Sequence, residues 1–227
     1  VFSQKKFSKL KILECNHYMT DIESIDHLSD SLIELYCSGE NFINNQEKIT
    51  KLKKLKVLNC SNNKHIDDLH HLSDTLTILA CKDESAIDQQ KIMQLKKLEL
   101  LYCDNNIKIN NVNHLANTLK QLQCSGSSGI DQNGINELKI LEILRCSGNK
   151  KIDNVNHLSN TLEELECLGK CNIDQQGISL LKKLKKLYPS HKIYDVNHLA
   201  DSLEILLCDF STHINQNGIS LLKKIKK

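Results

Sequence analysis

The chain has 227 residues, of which 40% are hydrophobic but only 4% are aromatic. Aromatic side chains usually fill much of a globular core, so their scarcity favours a core of many aliphatic contacts in thin layers. The 30 basic and 28 acidic residues leave a formal charge of +2, and Arg145 is the single arginine. Because arginine is preferred for contacts to phosphates and bases, a nucleic-acid partner is not expected.

The sequence contains no stretch that approaches the ~18 apolar residues of a membrane span. Residues 1–10 are polar and include Lys5, Lys6 and Lys9, a composition that does not predict a signal peptide. No linker or low-complexity tract interrupts the chain. We therefore expect one domain over residues 1–227 and no membrane partner.

A Leu-x-x-Leu-x-Cys phrase recurs along the chain at a period of about 22 residues. The last four residues of each phrase alternate inward and outward as a β-strand does, with Leu165 and Cys167 inward and Glu164 and Glu166 outward. Pro189 takes the cysteine position in the ninth phrase. Each phrase therefore predicts one short strand and one coil of a stack, and the coils start at Leu10, Leu32, Leu55, Leu76, Leu98, Leu119, Leu141, Leu162, Leu184 and Leu203.

Two types of coil alternate, so the repeating unit is a pair of about 43 residues. A first-type coil such as 141–161 continues from its strand with Ile152, Val155 and Leu158, and a second-type coil such as 162–183 continues with Ile173, Ile178 and Leu181. These segments predict short 3₁₀ or one-turn helices on the side opposite the strands. An N-cap is predicted at the same step in several coils, at Asp88, Asp131, Asp153 and Asp174.

The phrase resembles the Leu-x-x-Leu-x-Leu-x-x-Asn signature of leucine-rich repeats, with cysteine in the third position. Asn63, Asn106 and Asn149 match the asparagine of that signature in first-type coils. The resemblance implies an α/β solenoid, a horseshoe with a parallel β-sheet on its concave face. The paired, Lys- and Asn-rich style also resembles proteins of giant viruses and other AT-rich genomes. Second-type coils depart from the signature, because the asparagine position holds Glu40, Glu84, Ser127, Lys170 or Ser211.

Nine cysteines form a ladder, one in each strand except the ninth. Neighbouring strands lie about 4.8 Å apart, and in-register Cβ atoms at that spacing exceed the ~3.8 Å typical of a disulfide. One straight row also cannot supply four tetrahedral metal ligands. We therefore expect buried, reduced thiols and a reducing compartment, namely the cytoplasm, which would be that of a host cell for a viral protein. Cys171 lies off the ladder, on a predicted loop, and is expected to be the most reactive thiol. The ladder comprises Cys15, Cys37, Cys60, Cys81, Cys103, Cys124, Cys146, Cys167 and Cys208.

Histidines and lysine pairs also follow the two-coil period. Histidines that are two coils apart are separated by roughly 10 Å and cannot share one zinc ion, so each is expected to bond a turn carbonyl. The lysine pairs predict either a solvated edge of the stack or a surface for an acidic or phosphate-bearing partner. The histidines are His27, His71, His114, His157 and His198, and the pairs are Lys53-Lys54, Lys96-Lys97, Lys182-Lys183 and Lys223-Lys224.

The outward positions of the strands vary from coil to coil and are the candidate partner-binding residues. An exposed sheet surface of tyrosine, arginine and aliphatic side chains has the composition of interface hot spots. The alternative is that β-branched residues stand there because they suit a strand. The candidates are Tyr36, Val57, Ile78, Leu100, Tyr102, Ile143, Arg145, Tyr188, Ile205 and Leu207, with Ile12 in the same aliphatic row.

We interpret the chain as a non-enzymatic scaffold that binds a protein or peptide on its concave face. Catalytic motifs and phosphate loops are not found, so no enzyme activity, cofactor or metal is expected. One alternative is a substrate receptor of a ubiquitin-ligase-type complex, which would need a further helical domain. Another is a structural or virion-associated component, because both ends resemble partial repeats without polar caps and predict end-to-end self-association.

Overall fold

The structure, a computed structural model, describes residues 9–15, 24–39, 46–209 and 212–224. In these ranges ten short strands form one parallel sheet, in which each strand pairs in register with the strand of the next coil. This order confirms the predicted solenoid. The strands are β1 (Ile12–Glu14), β2 (Glu34–Tyr36), β3 (Val57–Asn59), β4 (Ile78–Ala80), β5 (Leu100–Tyr102), β6 (Gln121–Gln123), β7 (Ile143–Arg145), β8 (Glu164–Glu166), β9 (Lys186–Tyr188) and β10 (Ile205–Leu206).

The repeated leucines and cysteines build one continuous core between the sheet and the opposite side of the coils. In the seventh coil, Leu141, Leu144 and Cys146 are fully buried, and Ile152 and Val155 close the same layer from the other side. Each layer is covered by the layers before and after it. Because a single coil has no second hydrophobic layer of its own, the coils stabilise one another through these contacts.

The side opposite the sheet carries single helical turns. One is an α-helix, α1 (Gln89–Ile92), and the others described are 3₁₀ turns, as the short coils predict. In second-type coils the predicted caps are confirmed: Asp131 Oδ1 accepts from Gly134 N at 2.9 Å, and Asp174 Oδ1 accepts from Gly177 N at 2.9 Å. The 3₁₀ turns are Asp26–Leu28, Gln46–Lys48, His70–Leu72, Asn113–Leu115, Asn156–Leu158, Gln176–Ile178, Asn197–Leu199 and Asn217–Ile219.

The cap predicted at Asp153 is wrong. This residue belongs to a first-type coil, in which the turn begins one residue later than in a second-type coil. Asn154 fills the role, because its Oδ1 accepts a hydrogen bond from Asn156 N at 2.9 Å. The amide side chain satisfies a backbone N–H that has no partner inside the turn.

A glutamine in each second-type coil holds the following first-type coil. Gln175 Oε1 accepts from the backbone N–H groups of Tyr194 and Asp195 at 3.2 and 3.0 Å, and its Nε2 donates to Asp195 O at 2.8 Å. Gln46 and Gln89 bond their next coils in the same way. We call this contact the glutamine clip.

The reverse contact is made by an asparagine in the first-type coils that start at Leu98, Leu141 and Leu184; Asp26 and His70 stand at this position in the other two. Asn156 Nδ2 donates to Gln176 O at 2.8 Å, and its Oδ1 accepts from Leu180 N at 2.8 Å. Asn113 and Asn197 make equivalent bonds to their next coils. We call this contact the asparagine clip. The two clips alternate along the stack, which is why the sequence repeats in pairs of coils.

The loop after each strand also differs between the two coil types. Asn149 is buried in a first-type coil, and its Nδ2 donates to Cys124 O and Ile130 O of the preceding coil, both at 3.0 Å. In second-type coils the buried polar residue stands one position later, at Ser85 and Ser128. The residues at the signature position there, Glu84, Ser127 and Lys170, are exposed, and Glu40 and Ser211 lie outside the described residues.

The ninth coil uses a shorter loop with Pro189 and Ser190. Ser190 is buried, donates from Oγ to Ile173 O at 2.6 Å and accepts from Lys192 N at 3.2 Å. Asn149 makes the same two kinds of bond, to Ile130 O and from Lys151 N. A serine on a loop two residues shorter therefore replaces the asparagine and keeps the backbone of the preceding coil satisfied.

Candidate functional site

The outward residues of the strands form two parallel rows on the sheet face, which we call the outward sheet face. The in-register pairing places the first residue of each strand beside the first residue of the next strand, and likewise for the third residues. All ten candidate residues lie on this face. The first row is Ile12, Glu34, Val57, Ile78, Leu100, Gln121, Ile143, Glu164, Lys186 and Ile205; the second row is Glu14, Tyr36, Asn59, Ala80, Tyr102, Gln123, Arg145, Glu166, Tyr188 and Leu207.

Three aliphatic candidates are adjacent. Val57, Ile78 and Leu100 stand side by side on β3, β4 and β5, and each is half-buried. Ala80, the last residue of β4, pairs with Tyr102 on β5. Its short side chain leaves the surface low beside the Tyr102 ring. We call Val57, Ile78 and Leu100 the aliphatic patch. Glu34 on β2 and Gln121 on β6 bound it on either side.

The tyrosines are held by charged neighbours. Tyr36 donates from its hydroxyl to Glu34 Oε2 at 2.9 Å, and this bond, together with burial, raises the pKa of Tyr36. The Lys82 ammonium lies 5.7 Å from the centre of the Tyr102 ring, a distance typical of cation–π contacts. These contacts fix the rings on the face and reduce the ordering needed for a partner to use them.

Arg145 is the centre of an ion-pair cluster on β7, β8 and β9. Its Nε and Nη2 donate to Glu164 Oε1 at 3.0 and 2.7 Å, and Lys186 Nζ lies 3.6 Å from Glu164 Oε2. These cations cover Glu164, which is only 7% exposed although it points outward. The bond to Glu164 is the main reason that the pKa of Arg145 is raised. Glu166 belongs to the cluster because its Oε2 lies 3.8 Å from Arg145 Nε, and its Oε1 accepts a hydrogen bond from Ser147 Oγ at 2.9 Å.

A second polar cluster surrounds Asp104 at the end of β5. Its carboxylate pairs with Lys82 Nζ at 2.8 Å and accepts from Gln123 Nε2 at 2.6 Å and from Ser125 N at 2.8 Å. The middle of the outward sheet face is therefore polar, and the aliphatic row expected from the sequence is interrupted. The sequence prediction did not include Gln121, Gln123, Glu164 and Lys186, although they occupy the same repeat positions as the candidates. Lys82 and Asp104 were also not included; they directly follow ladder cysteines, two positions after the second row.

The remaining candidates lie away from the aliphatic patch. Gln121 separates Ile143 from Leu100. Tyr188 on β9 stands beside Glu166 on β8. Ile12 on β1 and Leu207 just after β10 are 53% and 51% exposed. The structure therefore brings together Val57, Ile78, Leu100 and Tyr102, and it places the other candidates along the rest of the face.

The cysteine ladder is buried from Cys15 to Cys167, but Cys208 is exposed, so the prediction of a buried thiol is wrong at this last position. Burial raises the pKa of Cys60 and Cys103 to about 12, which keeps both protonated. Several thiols also donate to the next strand, as Cys37 Sγ does to Asn59 O at 3.4 Å. From Cys15 to Cys167 the ladder is therefore part of the core.

Cys171 lies on a loop off the ladder, as predicted, but it is not accessible, and its expected reactivity stays a prediction. Cys171 is fully buried, and its Sγ lies 3.9 Å from Cys146 Sγ. Ser85 occupies the same repeat position, and its Oγ lies 3.9 Å from Cys60 Sγ. The loop of a second-type coil is one residue longer than the signature predicts, and this residue is turned into the core.

For three of the five histidines, the structure confirms the predicted bond to a turn carbonyl. The Nε2 atoms of His114, His157 and His198 lie 3.0, 3.1 and 3.1 Å from the carbonyl oxygens of Ile92, Ile135 and Ile178 in the preceding coils. Burial lowers the pKa of His71, His114 and His157. Through these bonds, His114, His157 and His198 each join two coils.

Neither a metal-ligand cluster nor a membrane-spanning helix is found among the described residues. Within residues 9–15, 24–39, 46–209 and 212–224, no group of three or more His, Cys, Asp or Glu residues is placed to hold a metal ion. In the same part of the chain, the helices are too short and too polar to cross a membrane.

Comparisons with known proteins agree with this architecture. The family model described as Leucine Rich repeats (2 copies) matches residues 30–74. No curated protein sequence matches the chain. Among solved structures, an internalin (inlF) from Listeria monocytogenes aligns with a TM-score of 0.66 and 18% identity over 98% of this chain and 68% of its own.

The functional domain of InlJ from Listeria monocytogenes, described as including a cysteine ladder, aligns with a TM-score of 0.67 and 19% identity. The alignment covers 99% of this chain but 49% of that one, so the chain spans about half the length of this neighbour. At these identities the likeness concerns the fold. Together with the repeated phrase, the in-register sheet and the family match at residues 30–74, it shows that the chain has the leucine-rich-repeat fold.

Proposed function

We propose that the chain is a protein-interaction scaffold that binds a protein or peptide on its outward sheet face. The observation that supports this proposal is that some positions of the coil keep the same residue from repeat to repeat, whereas the outward positions of the strand change. Core leucines, ladder cysteines and clips recur from coil to coil, whereas the outward rows change from aliphatic to aromatic to charged. Variation on a rigid face suits partner recognition, because the backbone is already ordered before binding.

The energetic centre of the proposed surface is the aliphatic patch with Tyr102. Half-buried aliphatic and aromatic side chains gain most when a partner removes their remaining surface from water. The Arg145 cluster, whose charges already neutralise one another, would act at the margin and select the orientation of the partner. The substrate-receptor and structural roles predicted above are further proposals that use the same scaffold.

Affinity capture from a lysate of the source cells, followed by mass spectrometry, tests the proposal. Three baits are compared: wild type, a variant with Tyr102→Ala and Arg145→Ala, and a matched control with Tyr194→Ala and Lys150→Ala. The two control positions lie outside the outward sheet face. We expect the first variant to lose the proteins that wild type and control both retain. Circular dichroism checks that both variants fold. Capture of the same proteins by all three baits would exclude the outward sheet face as the binding surface.

A further inference from the structure

The aliphatic patch has a basic edge on one side. Lys56 directly precedes Val57, and the pairs Lys53-Lys54 and Lys96-Lys97 stand just before the coils that carry β3 and β5. All five side chains are exposed. Lys54 bonds to Asp30, but Lys53, Lys56, Lys96 and Lys97 form no ion pair with any residue that the structure describes. We call these four residues the lysine edge.

The opposite edge of the same coils is neutralised. Lys64 pairs with Glu84 at 2.7 Å, and Lys82 pairs with Asp104 at 2.8 Å. On the first edge, the exposed Asp74 stands between the two lysine pairs, and Glu99, beside Leu100, pairs with Lys120. Farther along this edge, Glu163 pairs with Lys185. The unpaired positive charge is therefore concentrated on one side of the aliphatic patch, and it favours acidic groups on the same side of any ligand.

The spacing of the aliphatic patch indicates the conformation of that ligand. Val57, Ile78 and Leu100 lie on successive paired strands, which are spaced by about 4.8 Å. Residues three or four apart on an α-helix advance by about 4.5 to 6 Å and share a face. Alternate residues of an extended strand advance by about 6.6 Å and would lose register within three coils. Glu34 and Gln121 limit the patch to a length of about two helical turns.

Resting on the proposed function, we propose that the aliphatic patch binds a short amphipathic helix of a protein partner. The apolar side of this helix covers Val57, Ile78 and Leu100, and its flank of Asp and Glu residues faces the lysine edge. The occupant is thus an acidic amphipathic helix. Tyr102, held by Lys82 on the other side of the patch, closes the site opposite the lysines.

A library of displayed helical peptides, randomised on one face and both flanks, provides the probe. Clones are selected for binding to the full chain and then sequenced. We expect the enriched clones to carry apolar residues three and four positions apart and an excess of Asp and Glu on one flank. Enrichment of neutral or basic clones would overturn the proposal.

Two charge variants then test the enriched clones. The first carries Lys53→Gln, Lys56→Gln, Lys96→Gln and Lys97→Gln, and the matched control carries Lys139→Gln, Lys150→Gln, Lys182→Gln and Lys183→Gln, which changes the net charge equally. We expect Kd to rise about tenfold for the first and less than about twofold for the control, because exposed ion pairs contribute modestly and locally. Equal effects in the two variants would exclude the lysine edge.

A third variant separates this inference from the proposed function. It carries Ile78→Thr and Leu100→Thr, which remove the aliphatic surface but keep residues suited to a strand. Weak binding by this variant, combined with unchanged binding by the lysine-edge variant, would retain the outward sheet face and reject the acidic partner. Unchanged binding by both variants would contradict the proposed surface as well as the partner class.

Discussion

At the scale of single residues, the position within a coil determines the role of a side chain more than its chemistry does. Cysteine at the inward strand position is a core residue, and Cys171 at the loop position replaces the serine of other second-type coils. This equivalence was present in the sequence, because Ser85 and Ser128 stand at the same step. It was missed because the leucine-rich-repeat signature places the buried loop residue one position earlier.

We predict that Cys171→Ser changes the free energy of unfolding by less than about 1 kcal/mol. Ser128 shows that a serine fits this position, where its Oγ accepts from Ile130 N at 3.5 Å. Cys124→Ser is the comparison, because it places a hydroxyl at an inward strand position where no described coil has one. Burial of a hydroxyl without a suitable partner costs about 1 to 3 kcal/mol. Urea unfolding of both variants is the measurement, and equal losses would contradict the assigned equivalence.

Backbone conformation is a second property of single positions that the repeat determines. The residue two after each ladder cysteine has a positive φ in seven successive coils, from Gly39 to Gly169, and is glycine, asparagine or aspartate. Gly126 is doubly constrained, because a Cβ there would also stand 2.1 Å from Asn105 Oδ1. Only residues that tolerate the left-handed region are suitable at this step.

At the scale of elements, the sequence predicted the strands and the turns but not the contacts between coils. The strands follow from the alternation of inward leucines and cysteines, and the turns follow from coils too short for longer helices. The glutamine and asparagine clips have no signature in a single coil, because their partners are backbone groups about 20 residues away. Comparison of corresponding positions in successive coil pairs is the signal that could have found them.

The glutamine clip predicts a specific loss of stability. Gln175→Ala removes three hydrogen bonds, two of them to backbone N–H groups of the next coil. Since water replaces part of these bonds at a half-exposed site, we expect a loss of about 1 to 2 kcal/mol. The control is Gln176→Ala, because its side chain is exposed and its described hydrogen bonds are all accepted by its backbone carbonyl. Urea denaturation should separate the two variants, and equal midpoints would show that the clip does not stabilise the stack.

The histidine contacts predict that stability falls at acid pH. Burial lowers the pKa of His71, His114 and His157 below the usual value of about 6.5. The unfolded chain therefore binds protons more readily than the folded chain does. Stability is complete above the unfolded value and is lost as the pH falls from about 6.5 toward the lower folded values.

Thermal unfolding between neutral and mildly acidic pH measures this effect. A variant with His114→Gln and His157→Gln can still donate to the same carbonyl groups but carries no titrating ring. We expect its Tm to fall less steeply than that of wild type as the pH decreases through this range. Parallel Tm curves for the two proteins would show that these histidines do not cause the pH dependence.

At the scale of the whole molecule, the stack is a series of alternating interfaces. Each coil contacts only the coils before and after it, so stability depends on the match between neighbours more than on the number of coils. An asparagine clip joins a first-type coil to the second-type coil that follows it, and a glutamine clip joins that coil to the next. The sequence showed the two-coil period, and the structure shows the bonds that maintain it.

This alternation predicts that a longer deletion is less harmful than a shorter one. Removal of residues 98–140, one coil pair, joins Lys97 to Leu141 and places a second-type coil before a first-type coil, as in the native order. Gln89 can then bond the N–H groups of Asp153 and Asn154, as Gln132 does at 3.1 and 3.0 Å. Asn149 can likewise bond Cys81 O and Ile87 O, which Asn106 bonds in the native chain.

Removal of residues 98–118, a single coil, instead joins two second-type coils. In this variant, Gln89 faces a coil whose turn begins one residue earlier. The deletion also removes Asn106, which bonds the preceding coil in the native chain, and the coil that follows has no asparagine at the same repeat position. Several backbone groups lose their partners, each at a cost of about 1 to 3 kcal/mol where they are buried. We therefore expect the pair deletion to unfold in one transition at a higher urea concentration than the single-coil deletion, although it is the shorter protein. The opposite order of midpoints would show that coil number, and not the alternation of clips, controls the stability of the stack.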